Sequence, residues 1–179
     1  MQYQDTVIKN IKVKKNAEVF NYRYAKVDSL SKKQIFEDYL KSKNMNIDFN
    51  SGELSYLELL GMSITKFNVI RDSLVNGINS TSGDSILIYM NNDVIDTMYI
   101  KNGARGEFIP EKNNSNIEST VEYTANEIHY FVNQETSYLI DNANVNFENT
   151  KLSAEEIYVN WATDNLEARK KDNISPSVS

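Results

Sequence analysis

Residues 139–161, LIDNANVNFENTKLSAEEIYVNW, carry two secondary-structure signals that exclude each other. The stretch SAEE at 153–156 is a capping box, S-x-x-E, which normally marks the start of a helix. Ile157, Val159 and Trp161 stand at alternate positions, which indicates a strand with one buried face. Whichever signal prevails decides the fold class, because similar stretches occur elsewhere in the chain.

A pattern that recurs along the chain favours the strand. The lead-in YTANEIHY at 123–130 matches LSAEEIYV at 152–159. Three longer stretches each contain an alternating strand, a polar turn, a second strand, a kink of small residues and a third strand that ends in Phe. They are residues 46–67, 87–108 and 127–147, with partial copies at 8–22 and 156–171. Their strands start at Ile47, Ile88 and Ile128, which are 41 and 40 residues apart and indicate a repeated unit.

Turn and kink residues fall at equivalent places in the three copies. The turns have the chemistry of β-hairpins and are Asn50-Ser51-Gly52, Asn91-Asn92-Asp93 and Asn133-Gln134-Glu135. The kinks, where a strand can bend or bulge, are Gly61-Met62, Gly103-Ala104 and Asn142-Ala143. Ser153 and Glu156 then lead into a strand, as Thr124 and Glu127 do, and the capping box is a coincidence.

Apolar residues alternate with polar ones in these strands, which predicts antiparallel hairpins with one dry and one wet face. The predicted inward residues are Ile47, Phe49, Leu57, Leu59, Ile86, Ile88, Met98, Ile100, Ile128, Tyr130, Tyr138, Ile140, Val145, Phe147, Ile157, Val159 and Trp161. Strand pairs that repeat along an axis give a solenoid-like or jelly-roll β-sandwich with a long hydrophobic interior.

Two segments have helical features that support a different function. Residues 29–44 have apolar positions at roughly helical spacing, and residues 56–74 resemble a helix-turn-helix with Gly61 in the turn. The hairpin-like residues 86–100 would follow as the wing of a winged-helix DNA-binding protein. Against this hypothesis, the would-be recognition helix is rich in β-branched residues and offers only Lys66 and Arg71 as cations.

Composition indicates one acidic domain. The 179 residues contain no cysteine and have a net charge of −6, although residues 1–26 hold six Lys or Arg. An acidic chain argues against a nucleic-acid partner, since that binding needs a concentrated positive face. No stretch approaches 18 apolar residues, so we expect no membrane-spanning helix. We expect a single domain over residues 1–172 and a disordered tail over 173–179.

Residues that could carry chemistry are sparse. His129 is the only histidine and falls on the polar face of a strand, and neither a second histidine nor a cysteine is present to complete a metal cluster or a nucleophilic pair with it. We therefore predict no catalytic residue, no metal site and no cofactor, and the protein is not expected to be an enzyme. Arg105, within GARG at 103–106, is a candidate for contact with a lipid head group.

The recurring hairpins resemble those of the OstA-like family, the periplasmic lipopolysaccharide-transport domains of the LptA type and of the N-terminal part of LptD. Residues 45–168 carry the resemblance, most clearly in GDSILIYMNNDVIDTMYIKNGARGEF and VEYTANEIHYFVNQETSYLIDNANVNF. It implies an all-β fold, a twisted and incompletely closed β-jelly roll built from repeated antiparallel hairpins. The segment at 29–44 departs from the family because it is longer than the corresponding link in other copies.

The same resemblance implies a function. Such domains pass lipopolysaccharide along a hydrophobic groove between the inner and outer membranes, and the inward residues named above would line this groove. The implied partners are lipopolysaccharide or a similar amphipathic lipid, and other Lpt-type jelly-roll domains that join by edge-strand addition. A periplasmic location is implied, although residues 1–20 lack the apolar region of a secretory signal. A structural β-solenoid scaffold with a filled core is the alternative.

Overall fold

Ten β-strands and one 3-10 turn make up most of the chain that the computed structural model describes, namely residues 8–92, 94–112, 115, 117–163, 165–170 and 175–179. The strands are β1 (Asn10–Ala25), β2 (Gln34–Asn50), β3 (Glu53–Arg71), β4 (Leu74–Asn91), β5 (Val94–Pro110), β6 (Val121–Phe131), β7 (Thr136–Phe147), β8 (Thr150–Asn160), β9 (Asn165–Arg169) and β10 (Ser177–Val178). The 3-10 turn is Val132–Gln134. These residues contain no α-helix, which confirms the predicted all-β class.

All ten strands belong to one antiparallel sheet. Strands β1 to β8 are hydrogen-bonded in sequence order, so that each pair is a hairpin. Both β9 and β10 pair with the outer edge of β8, β9 along Glu156–Asn160 and β10 at Leu152 and Ser153. Within the described residues β1 pairs with neither β9 nor β10, and the sheet is therefore not closed into a barrel.

A line of bulges crosses the sheet and divides its long strands in two. Every pairing from β1–β2 to β7–β8 shifts register at the same level, for example between Leu60 and Ser63 on β3. In four alternate strands two successive residues there have positive φ, namely Lys15-Asn16, Gly61-Met62, Asn102-Gly103 and Asp141-Asn142. The kinks predicted from the sequence fall on these bulges, or within one residue of them.

The bulges fold the sheet into two facing layers. The hydroxyl groups of Tyr123 and Tyr130, which lie on either side of the bulge in β6, are hydrogen-bonded to each other, and their ring centroids are 6.4 Å apart. Two inward residues of one strand can touch in this way only if its halves face each other. We call the half that contains Tyr123 layer one and the half that contains Tyr130 layer two.

Small residues beside the bulge line let the layers approach at the fold. They lie on the layer-one side and are Ala17, Ser42, Ser63, Gly83, Ala104, Ala125, Ala143 and Ala154. Large aliphatic side chains fill the opposite side and are Met45, Leu59, Ile86, Ile100, Ile128, Leu139 and Ile157, each at most 1% exposed. A Cβ added at Gly83 would be 2.6 Å from Cγ2 of Ile100, so the fit leaves no spare room.

The conflicting signals of the sequence all resolve as strands. The capping box at 153–156 lies inside β8, and the segments at 29–44 and 56–74 contribute to β2 and β3. The winged-helix hypothesis is therefore wrong. The predicted disordered tail, 173–179, also needs correction at its end, because Ser179 exchanges two backbone hydrogen bonds with Lys151 beside β10. Residues 173 and 174 lie outside the described residues.

Candidate functional site

A cavity of about 660 Å³ lies between the two layers, on the side away from the bulges. Its volume falls within the range of roughly 300–1,000 Å³ that is common for ligand sites. The layers touch at the bulge line and diverge toward the hairpin ends, so the interior is filled core near the fold and open groove beyond it. We call this cavity the groove.

The groove has an apolar wall in layer two. Leu57, Ile88 and Met98 form its floor and are at most 4% exposed. Half-buried apolar side chains continue the wall toward the hairpin ends, and these are Leu54, Met90 and Ile95. Phe67, Val69 and Phe108 face them from layer one. A long apolar surface of this kind can bury an acyl chain at about 25 cal/mol per Å².

The predicted inward residues divide into three groups. Five line the groove, and these are Leu57, Ile88, Met98, Tyr130 and Trp161. Eight belong to the filled core or pack against it without reaching the groove, and these are Ile47, Leu59, Ile86, Ile100, Ile128, Val145, Ile157 and Val159. Four lie outside the core, and these are Phe49, Tyr138, Ile140 and Phe147.

Tyr138 and Ile140 were assigned to the wrong face of β7. The inward residues there are Ser137 and Leu139, which are 0% and 1% exposed. The ring of Tyr138 instead packs on the outer face between Phe131 and Tyr158, at centroid distances of 5.9 and 5.0 Å. A one-residue offset reverses the face of every side chain in a strand, and alternation alone does not distinguish two faces that both carry apolar residues.

Phe49 and Phe147 stand at strand ends, where the two layers no longer cover them. Phe49 is half-buried beside the β2–β3 turn, and Phe147 is 36% exposed beside the β7–β8 turn. Arg105, the candidate head-group contact, is exposed on the outer face and does not line the groove.

The other wall of the groove is polar, and the alternation of apolar and polar residues in the sequence did not predict it. It lies in layer one across strands β1 to β4 and comprises Asn21, Arg23, Asp38, Asn68, Asn76 and Asn79. We call it the polar wall. The only signal in the sequence is that Asp38 stands two residues before the buried Leu40 and so shares its face.

Asp38 is the centre of a hydrogen-bond network in the polar wall. Its side chain is 2% exposed, and Arg23 binds it through both carboxylate oxygens, with Nε 2.6 Å from Oδ2 and Nη2 3.0 Å from Oδ1. The backbone N–H of Asn68 donates to Oδ1 at 2.8 Å, and the Asn68 side-chain amide donates to it at 3.1 Å. Such donors satisfy a buried carboxylate, whose desolvation would otherwise be costly.

Tyr123, Tyr130 and Asn79 form a second polar cluster farther along the groove. Asn79 donates from Nδ2 to the Tyr130 hydroxyl at 2.9 Å and accepts from the Tyr123 hydroxyl at 2.5 Å. Burial raises the pKa of Tyr130 to about 12 and raises that of Tyr123 well above its usual value, since an ionised phenolate would be poorly solvated there.

Stability is expected to fall above about pH 10, where tyrosine ionises in the unfolded chain. The folded state keeps the Tyr130 proton until about pH 12, so unfolding releases a proton between these limits. The free energy of unfolding should drop by about 1.4 kcal/mol per pH unit for each such tyrosine between these limits. Below about pH 10 both states hold the proton, so these tyrosines should not make stability depend on pH. Urea unfolding across this range measures the slope. An unchanged slope in Tyr130→Phe would contradict the assignment.

Arg71 joins the layers on the open side of the groove. Its Nε is 3.1 Å from a carboxylate oxygen of Glu135, and its Nη2 donates to the carbonyl oxygen of Trp161 at 3.1 Å. The Trp161 ring packs against Phe108 and Tyr123 at centroid distances of 6.3 and 6.2 Å. Arg71 therefore holds the end of β3 against the end of β8 and narrows the groove there.

Acid–base and metal chemistry find little support among the described residues. His129 lies on the outer face, with Nε2 3.1 Å from Glu127 and its ring against Tyr99. No group of three or more His, Cys, Asp or Glu side chains is placed to hold a metal ion in this part of the chain. The same residues include no helix long and apolar enough to cross a membrane.

Comparison with known proteins identifies the fold. The structure matches that of LptH from Pseudomonas aeruginosa, the LptA homologous periplasmic component of its lipopolysaccharide transport device. The match has a TM-score of 0.59 and 14% sequence identity, and it covers 79% of this chain and 92% of that chain. No family model and no curated protein matches the sequence. The chain thus has an LptA-like β-jelly-roll fold, as the recurring hairpins predicted.

Proposed function

We propose, from the LptA-like fold and the groove, that this protein is a non-catalytic carrier that binds lipopolysaccharide or a similar amphipathic lipid and passes it along the groove. The observation that carries the proposal is the split interior, filled at the fold and open toward the hairpin ends. A scaffold with a filled core would need no such space. The apolar wall supplies contact area for acyl chains, and Leu57, Ile88 and Met98 would form the floor beneath them.

The polar wall is compatible with an apolar occupant because its groups bind each other. Asp38 is satisfied by Arg23 and Asn68, while the Asn79 side chain binds the two tyrosine hydroxyls. An acyl chain that covered them would not strip these groups of hydrogen bonds, which is the main penalty for burying polar atoms. Transport between the inner and outer membranes, and the periplasmic location that this requires, are part of the proposal.

The two free edges of the sheet are suited to bind another domain of the same fold. The outer edge of β1 and the edge formed by β9 and β10 offer backbone groups that another strand could pair with. Residues 8–50 carry ten Lys or Arg against five Asp or Glu, whereas residues 51–179 carry nine against nineteen. The basic edge at β1 would favour addition of an Lpt-type jelly-roll domain whose own free edge is acidic.

Fluorescence of Trp161 provides a test of lipid binding. It is the only tryptophan of the chain and lines the groove, so a bromine on a bound acyl chain would quench it. We expect saturable quenching by a brominated single-chain amphiphile below its micelle concentration, reversed by purified lipopolysaccharide. Without any quenching the protein would be a scaffold rather than a carrier. Quenching that lipopolysaccharide does not reverse would assign the groove to a different lipid.

A further inference from the structure

We propose that the groove binds its amphiphile in one direction, with an anionic head group, a carboxylate or a phosphate, against Arg23 at the β1 end and the acyl chain pointing toward Trp161. This inference rests on the proposed function and adds to it a head-group site and an orientation.

Arg23 has unused hydrogen-bonding capacity inside the groove. Its Nε and Nη2 bind Asp38, and Nη2 also donates to the carbonyl oxygen of Asn68. Its remaining nitrogen, Nη1, has no hydrogen-bond partner among the residues that the structure describes. The side chain is 39% exposed and lines the groove. Arg23 is thus held by one edge of its guanidinium, and the donors of the other edge are free for a ligand in the groove.

A guanidinium fixed in this way suits an anionic oxygen. Arginine presents its donors in a planar fork that matches carboxylate and phosphate, and less conformational entropy is lost when the fork is already immobilised. Asp38 neutralises part of the charge of Arg23. The positive field for an anion must therefore come from the surroundings as well.

The β1–β2 end of the protein carries an excess of positive charge that adds to the field of Arg23. The segment that contains β1 and β2, residues 8–50, has a net charge of +5, although the whole chain has a net charge of −6. Arg71 is the other cation that lines the groove, but it lies next to Asp72 in sequence and pairs with Glu135. An anionic head group is consequently attracted to the β1 end of the groove and not to the end where Arg71 lies.

The rest of the groove fits the tail. Beyond Arg23 the polar wall has its side-chain donors engaged, since Asn68 donates to Glu37 and Asp38, and Asn79 donates to Tyr130. The facing wall is apolar from Leu57 through Met98. A chain anchored at Arg23 would run across β2 to β6 and end near the Trp161 ring.

Two readouts of Trp161 quenching test this proposal. The first compares a long-chain fatty acid and an alkyl phosphate with the alcohol of equal chain length, each competing with the brominated probe. We expect both anions to bind the native protein at least about tenfold more tightly than the alcohol, as one charge-assisted hydrogen bond would give. The second moves the bromine along the fatty acid, and bromine near the tail should quench more than bromine near the carboxylate.

Variants assign the preference to Arg23. The pair Arg23→Gln with Asp38→Asn removes both charges together, so that no buried carboxylate loses its partner. It should lose the tenfold preference, so that the acid, the alkyl phosphate and the alcohol bind this variant with affinities within about twofold of one another. The control is Arg105→Gln, which removes an exposed cation outside the groove and should keep the preference. Inorganic phosphate alone should not displace the probe, because it has no chain.

Each outcome decides the matter. Equal affinity of the native protein for acid and alcohol, stronger quenching by bromine near the carboxylate, or a preference that survives in the double variant would overturn the proposal. Displacement of the brominated probe by inorganic phosphate would show that the site binds a free anion, which also overturns the proposal. If the double variant does not fold, the two measurements on the native protein still decide. If no amphiphile binds at all, the proposed function itself fails.

Discussion

Replacing Gly106 by alanine is expected to lower the free energy of unfolding by about 3 kcal/mol, at the upper end of the usual range for overpacking a filled interior. Gly106 lies opposite Tyr123 in the β5–β6 pairing, and a Cβ there would be 1.9 Å from Cε2 of that ring. The tyrosine is 2% exposed and hydrogen-bonds Asn79, so its displacement would break the packing against Trp161 as well.

Chemical denaturation of Gly106→Ala measures this loss, which corresponds to a melting temperature lower by roughly 10 °C. The matched control is Gly103→Ala in the same strand. No heavy atom lies within 4 Å of a Cβ built at Gly103, although its φ of +75° makes any side chain unfavourable by about 1–2 kcal/mol. If Gly106→Ala is no more destabilising than the control, the ring of Tyr123 does not lie over Gly106.

Placing a charge in the groove should abolish lipid binding while the fold survives. Phe67 is half-buried on the layer-one side of the groove, so Phe67→Glu exposes the new carboxylate to the groove. An acyl chain would have to desolvate this charge and lose the contact with the phenyl ring. We expect affinity for a brominated amphiphile to fall at least about 100-fold, as a loss of several kcal/mol predicts.

The control for this variant is Ile64→Glu on the same strand. Ile64 is 43% exposed on the outer face, so its substitution adds the same charge to β3 outside the groove. Trp161 quenching should be unchanged in Ile64→Glu and lost in Phe67→Glu, with far-UV circular dichroism retained in both. Equal binding by the two variants would place the lipid somewhere other than the groove.

Recurrence in the sequence was sufficient to predict the hairpins and their bends. Backbone conformations with positive φ at the bulges require small or turn-forming residues, such as Gly61 and Asn142. These residue types can be recognised at equivalent positions of the sequence. Local helix signals failed because a capping box depends on four residues only, whereas the strand pairing of Ile157 with Leu139 and Ala168 is set by its neighbours in the sheet.

The depth of a side chain in the interior was not predictable from alternation. Leu57 and Leu59 have the same chemistry and face, yet Leu57 lines the groove and Leu59 fills the core beside the fold. The difference arises from their distance to the bulge, where the layers meet. The polar wall could not be predicted either. The buried carboxylate of Asp38 depends on hydrogen bonds from β1 and β3, whose residues lie far from it in sequence.

Photo-crosslinking at two adjacent residues of β5 tests the central claim most directly. Met98 lines the groove, and Tyr99 points to the outer face, where it packs against His129. A photoreactive amino acid at each position, in purified protein incubated with lipopolysaccharide, reports which face the lipid touches. We predict a lipopolysaccharide adduct from position 98 and none from position 99. No adduct at position 98, or equal adducts at both, would contradict a lipid-binding groove.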